Sequence, residues 1–301
     1  MRFLTRQLCN IPFGLLCLGL MVSCDAQKIQ SSDFTPEFSF TKGIEGPAVD
    51  KEGNLYAVNF KEQGTIGIVD TSGNGSVYVT LPEGSIGNGI RFDQDQNMYI
   101  ADYTGHNVLL IKKGSKEVSV WAHNPDMSQP NDLSIAPNGT IYLSDPNWTE
   151  STGRIWMVDA ARKIILLEEN MGTTNGIEVN HDGKKLYVNE SVQRNVWQYD
   201  INADGSLSNK TKLIDFEDFG MDGMRCDVKG NLYITRFEKG TVAIVSPDGK
   251  ILDEVLLKGK NPSNITFGGK DGKTCFVTLA DRGCFESFRA PNQGAYYHRI
   301  H

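Results

Sequence analysis

Six polar residues recur at one phase along this chain: Glu45, Asn88, Asn131, Asn175, Asp222 and Asn264. Each opens an apolar, strand-like run and precedes an aromatic residue (Tyr56, Tyr99, Tyr142, Tyr187, Tyr233 or Phe276) by 11 or 12 positions. Glu45 and Asp222 bring carboxylates, and Asn131 and Asn175 bring neutral amide oxygens. Together these are the donors that a hard divalent cation prefers. Two carboxylates brought together without a cation repel, and the pKa of at least one rises. Spacing alone leaves a second reading open, in which the six residues cap strand ends and line a wet channel.

For these residues to meet, the chain must return to one place six times. The aromatic positions are separated by 43, 43, 45, 46 and 43 residues. A repeat of roughly 40–45 residues with several short strands is the mark of a β-propeller blade. Equivalent positions then fall on a ring, so the openers crowd one end of a central channel. The turns at 72–75, 203–205 and 247–249 carry the Gly, Asn and Asp that hairpins use. No stretch sustains a helical period. The expected fold is all-β, a six-bladed β-propeller over residues 37–301. Its last repeat has three evident strands, while Phe34, Phe38 and Phe40 alternate with polar residues ahead of the first repeat. That amino-terminal strand is expected to complete the sixth blade and so remove two exposed sheet edges.

Residues 1–23 read as a signal peptide, with Arg2 and Arg6 ahead of a short apolar core at 11–22. The string Leu20-Met21-Val22-Ser23-Cys24 resembles a bacterial lipobox. Cys24 is therefore expected to carry a lipid anchor in the cell envelope, followed by a tether over 24–36. An ordinary signal cut after Ala26, giving a periplasmic or secreted protein, is the alternative. The net charge of −7, with no basic cluster, excludes a nucleic-acid partner. Cys226, Cys275 and Cys284 lack CxxC spacing and point neither to zinc nor to a disulfide framework. A Cys275–Cys284 bridge stays open.

Several familiar motifs are missing: there is no GxSxG elbow, no HExxH and no phosphate loop. Asp93-Gln94-Asp95-Gln96-Asn97 begins like a calcium hand. Met98 stands where a glycine is needed, however, and Thr104 where the closing glutamate belongs. A polar turn is expected instead.

Six strings, in order, cover residues 45 to about 290: Glu45-Gly46-Pro47, Pro130-Asn131-Asp132-Leu133, Ser144-Asp145-Pro146, Thr174-Asn175-Gly176-Ile177, Met221-Asp222-Gly223-Met224 and Asn261-Pro262-Ser263-Asn264-Ile265-Thr266-Phe267-Gly268-Gly269. They resemble the senescence-marker-protein/gluconolactonase (regucalcin-like) family, related to diisopropylfluorophosphatase. The resemblance implies a divalent cation, usually Ca²⁺ (with Mg²⁺, Mn²⁺ or Zn²⁺ as alternatives), held by Glu45, Asn131, Asn175 and Asp222. It implies hydrolysis of a lactone, by default a sugar lactone such as gluconolactone. The cation would polarise the carbonyl and Asp222 would serve as base or nucleophile.

A phosphotriesterase-like hydrolase with the same site and a non-catalytic ligand-binding propeller are the alternatives. Asn88 and Asn264 share the ring phase without the ligand role, and are expected to support the ligands or touch substrate. Tyr103, Trp148, Glu190 and Arg236 follow second strands and are candidates to reach the pocket, Tyr103 and Trp148 as substrate contacts, with outer packing and surface pairing as the alternative. Gln129, a further candidate substrate contact, stands where animal members of the family carry an arginine, so no cationic fork meets the substrate there. A monomer with a small-molecule substrate as its partner is expected.

Overall fold

A computed structural model describes residues 29–300. The signal-peptide and Cys24-anchor expectations lie outside the described residues. Six four-stranded antiparallel sheets follow one another along the chain. The first blade holds Phe40–Val49, Leu55–Phe60, Thr65–Val69 and Gly75–Thr80, and the pattern repeats through the sixth, with Pro262–Gly268, Thr274–Leu279 and Cys284–Arg289. First strands of neighbouring blades touch around the whole circuit, and Phe40–Val49 meets Pro262–Gly268 to close it. This is the six-bladed propeller that the repeat implies.

Burial follows distance from the axis. Leu55–Phe60 and Thr174–Val179 are buried at every position, because the inner part of each sheet packs against a neighbour on both faces. Outer strands such as Gly75–Thr80 are mostly exposed. The core is therefore not one body but six apolar wedges, one per seam. Val58 and Ile66 of the first blade meet Ile90, Ile100 and Leu109 of the second. Phe40 and Phe60 meet Phe276 and Phe285 across the closing seam.

An amino-terminal strand does complete the sixth blade, but it is Ser32–Asp33, paired with Ser287 and Glu286. The run from Phe34 to Phe40 is not that strand, because Phe34 and Phe40 fill the seam while Phe38 stays exposed in the loop between them. Phe34 packs on Phe276 at 4.7 Å between ring centroids, and Phe40 on Phe285 at 5.5 Å. Part of the stretch read as a tether also belongs to the body. Gln30 bridges to Leu256, and Ile29 packs against the wedge between blades five and six.

The short closing strand is held by charge. Arg282 pairs with Asp33 at 2.8 Å, with Glu37 at 2.7 Å and with the fully buried Glu286. Glu286 also accepts the Lys258 and Gly259 amides, both at 2.9 Å.

At the far end of the channel, a six-residue helix, Ala295–Ile300, contributes Tyr296 and Arg299 to the lining shared with Arg91, Glu178 and Arg225. Tyr296 Oη donates to Asp93 O at 3.3 Å, and Asn292 Nδ2 donates to Asp227 Oδ2 at 2.9 Å. Asp93 is the turn residue expected: its carboxylate accepts Asn97 N at 2.8 Å and Asn97 Nδ2 at 2.9 Å. Asp50 and Asn54, then Asp227 and Asn231, repeat that turn. Cys226, Cys275 and Cys284 are buried and unpaired.

Arg282→Ala leaves the buried Glu286 carboxylate with amide donors but without its ion-pair partner, and unties Ser32–Asp33. Urea unfolding of the variant is expected to show a loss of about 2–4 kcal/mol. A midpoint equal to that of the parent would mean that the closing strand does not depend on this cluster.

Candidate active site

Cross-strand register fixes which residues share a level. The pairs Ile90–Ile100, Leu133–Leu143, Ile177–Val188 and Met224–Ile234 set Asn88, Asn131, Asn175 and Asp222 at one height, and Ala48–Tyr56 sets Glu45 there. In the sixth blade the pair Ile265–Val277 gives that place to Ser263. Asn264, expected on the ring, sits one step deeper. The cause is a turn between Phe267 and Cys275 that is two residues longer, not one, than the turn between Cys226 and Leu232. All six side chains at the ring level line one cavity of about 350 Å³ at the channel mouth, beside Tyr103 and Trp148.

The next level down reads Gly46, Gly89, Asp132, Gly176, Gly223 and Asn264. There is no room there for six side chains. A Cβ on Gly223 would lie 2.0 Å from Asn264 Cγ, and one on Gly46 would lie 2.0 Å from Asn88 O at a φ of +60°. Only the third and sixth blades place side chains on this level, and these meet. Asn264 Nδ2 donates to Asp132 Oδ2 at 3.3 Å and to Glu45 Oε2 at 3.0 Å. Asn264 thus supports Glu45 from beneath and does not line the mouth.

Arg91, Ser134, Glu178, Arg225 and Thr266 line the level below. Arg91 lies 3.1 Å from Asp132 and 3.8 Å from Glu178, and Arg225 lies 3.3 Å from Asp132. Sequence reasoning missed this ion stack. Its signal was present: Arg91, Glu178 and Arg225 each stand three residues after a ring residue, inside otherwise apolar strands.

The two levels differ in electrostatics. Burial first, then the Asp132 charge, pushes Glu45 up to about 7, although it accepts the Gly46 amide at 2.6 Å. Asp222 is half-buried as a residue, yet its carboxyl is withdrawn from solvent. Burial, followed by the charge of Glu45, holds it well above the usual range. Asp132 goes the other way: burial opposes ionisation, but Arg91 and Arg225 keep it below the usual range. Negative charge is therefore neutralised by ion pairs in the deep level, whereas Glu45 and Asp222 at the mouth have no ion pair among the described residues.

Two further atoms are left without partners there. Asn131 Oδ1 and Asn175 Oδ1 are buried and accept no hydrogen bond. Asn175 Nδ2 donates to Ser191 Oγ at 3.0 Å, which fixes the amide and leaves its oxygen free. A buried acceptor without a donor costs roughly 1–3 kcal/mol. Two such oxygens beside two carboxylates suit a hard cation with oxygen ligands. Among the described residues no group of three or more His, Cys, Asp or Glu could hold a metal, so the fit rests on this mixed carboxylate–amide set.

A second repeated device builds the mouth. Asn59, Asp102, Asp145, Glu190 and Arg236 each lie three residues past the aromatic and hold the loop that enters their own blade. Asn59 Nδ2 donates to Gly43 O at 2.6 Å, and Asp102 accepts Ser85 Oγ at 2.8 Å. Asp145 accepts the Ser128 and Gln129 amides at 2.8 and 2.6 Å, and Glu190 accepts Gly172 N at 2.8 Å. Arg236 Nη2 donates to Asp218 Oδ1 at 2.7 Å. Glu190 and Arg236 are therefore buried loop anchors. The Gln129 side chain reaches the Tyr103 hydroxyl, and Asn88 Nδ2 donates to Asn131 O at 3.0 Å.

Residues 43–281 match the family model described as SMP-30/Gluconolactonase/LRE-like region. A gluconolactonase of Zymomonas mobilis is 28% identical over 218 residues, covering 64% of this chain and 60% of that protein. The chain thus spans less than two thirds of that relative. A diisopropyl-fluorophosphatase of Loligo vulgaris is 25% identical over 293 residues, covering 87% and 93%. Among solved structures, a regucalcin of Agrobacterium tumefaciens, described as a calcium-binding protein, superposes with a TM-score of 0.76. It is 20% identical, with 90% of this chain and 99% of that chain covered.

Asp132→Asn removes the charge between two buried guanidiniums. It is expected to cost about 3–5 kcal/mol in chemical denaturation. A loss under about 1 kcal/mol would show that Asp132 is not what holds Arg91 and Arg225 in the channel.

Proposed function

Because the chain belongs to the SMP-30/gluconolactonase/LRE-like family, we propose that it is a metal-dependent lactonase acting at the channel mouth. One observation carries this reading: the unpartnered, buried oxygens of Asn131 and Asn175 line the same cavity as Glu45 and Asp222. These four side chains would hold the cation, with Ca²⁺ the best match to two carboxylates and two amide oxygens. Once bound there, it supplies Lewis-acid polarisation of the ester carbonyl and stabilises the charge that develops on its oxygen.

The chain's own groups do the rest. Asp222 serves as base for the attacking water or as the nucleophile. Its backbone is fixed, since its N–H donates to Thr235 O at 3.1 Å and its carbonyl accepts Asn189 Nδ2 at 2.6 Å. Motion of the carboxylate is thereby confined to the side chain. Ser191 holds the Asn175 amide, and Asn264 holds Glu45. In the net reaction water adds to the carbonyl carbon, the ring C–O bond breaks and the departing oxygen takes a proton. The hydroxy acid formed releases one proton at neutral pH.

A phosphotriesterase-like reaction is the second reading, favoured by the near full-length match to the Loligo protein. We also propose a monomer in the cell envelope, anchored through Cys24.

The test is a pH-stat assay on five- and six-membered lactones after chelation, then with Ca²⁺ restored. Turnover is expected to vanish and return. Glu45→Gln and Asp222→Asn are each expected to lower kcat/KM about a hundredfold or more. Ca²⁺ at about 100 times its Kd should stabilise the parent by about 2.7 kcal/mol and the variants far less. Wild-type rates in both folded variants would end the assignment. Faster turnover of phosphotriesters than of any lactone would favour the second reading.

A further inference from the structure

The mouth has two unlike halves. On the side of the first two blades the lining is mostly polar, with Lys42, Asn59, Gln63, Asn88 and Tyr103 beside Ile44 and Ile86. On the side of the third to fifth blades a connected cleft runs outward from Asn175 and Asp222 past the apolar Trp148, Val192, Phe219 and Phe237, with the charged Arg194 and Glu238 also in its lining. Trp148, Val192 and Phe219 are 40%, 54% and 43% exposed. The other exposed large apolar side chains among the described residues behave differently. Val77, Val120, Leu166, Ile251, Leu252 and Leu256 lie on outermost strands, and Phe38 lies in the closing loop. Apolar side chains scattered singly need no explanation, but a cluster at the rim of a polar site does.

The shelf is also built to stay in place. Phe219 takes a left-handed backbone conformation, φ +42°, which an aromatic residue rarely adopts. Arg236, 1% exposed, holds that turn through Asp218, donates to Phe219 O at 3.4 Å and stacks over Phe216 with 3.7 Å to the ring centroid. Val192 follows Ser191, the residue that fixes the Asn175 amide. The apolar wall is thus joined through Ser191 and Met221 to two proposed ligands.

We infer that the substrate is two-faced, with its ester group over the carboxylate–amide ring and an alkyl or aryl limb lying on Trp148, Val192 and Phe219. An alkyl-substituted lactone fits this surface, whereas a sugar lactone would present hydroxyls to it. The inference rests on the hydrolase reading above, and sharpens its substrate class.

The test compares δ-lactones bearing hydrogen, methyl, propyl or hexyl on the ring carbon next to the ring oxygen, with gluconolactone alongside. For the Ca²⁺-loaded protein, kcat/KM is expected to rise about two- to fourfold per methylene, mostly through KM. Gluconolactone should fall below the propyl compound. Phe219→Ala and Val192→Ser are expected to flatten the rise, while Leu252→Ser, on an outer strand, keeps it. Turnover with no dependence on chain length, or a preference for gluconolactone, overturns the inference and leaves the hydrolase reading standing. Calorimetry with 2-hexyltetrahydropyran, which has no ester, separates the remaining cases. Binding that Phe219→Ala abolishes supports the apolar shelf even if no lactone is turned over, and absence of binding overturns it.

Discussion

Six strands that converge on one axis leave space for few side chains, and the rest of the site follows from how that space is divided. One level carries six polar side chains because it opens to the mouth. The next carries only two, Asp132 and Asn264, from opposite blades, and four glycines make way for them. The level below reaches across the axis with Arg91 and Arg225. Close packing thus decides which blades contribute chemistry and which contribute clearance. Glu45 stands where it does because Asn264 holds it, and Asn264 has room because its neighbour in the fifth blade is Gly223.

The charges are arranged with the same economy. Asp132 lies between two guanidiniums and stays ionised despite burial. Glu45 and Asp222 have no such neighbours at the mouth, and burial together with like charge raises both. Had an arginine stood among the ring residues, it would pair with these carboxylates and hold both in the ordinary range. The protein keeps its guanidiniums two levels down, where they neutralise the channel without competing for the site.

Much of this was legible in the chain. The aromatic period gave the blade count, and the phase of the polar openers gave five of the six ring positions. Ser263 was hidden because register depends on turn length, and the Lys270–Lys273 region holds one residue more than spacing suggested. The closing strand was assigned to the phenylalanine run because alternation is the visible signal. Which alternating residues pair at an edge and which fill a seam depends on the partner blade, some 250 residues away. Glu190 and Arg236 stood out as polar residues at strand ends. Their roles as loop anchors follow from contacts with Gly172 and Asp218, which no local pattern announces. The ligand roles themselves came from the resemblance and not from the spacing.

The carboxy-terminal helix has a consequence for traffic. With Tyr296 and Arg299 set beneath Arg91, Glu178 and Arg225, and four glycines packing the level under the ring, the described residues make the channel a well that opens at the mouth. A molecule that reaches the carboxylates must leave by the path it used to enter. Reactant arrival and product departure then share one doorway and exclude each other in time, so the shape of the rim governs both selection and release.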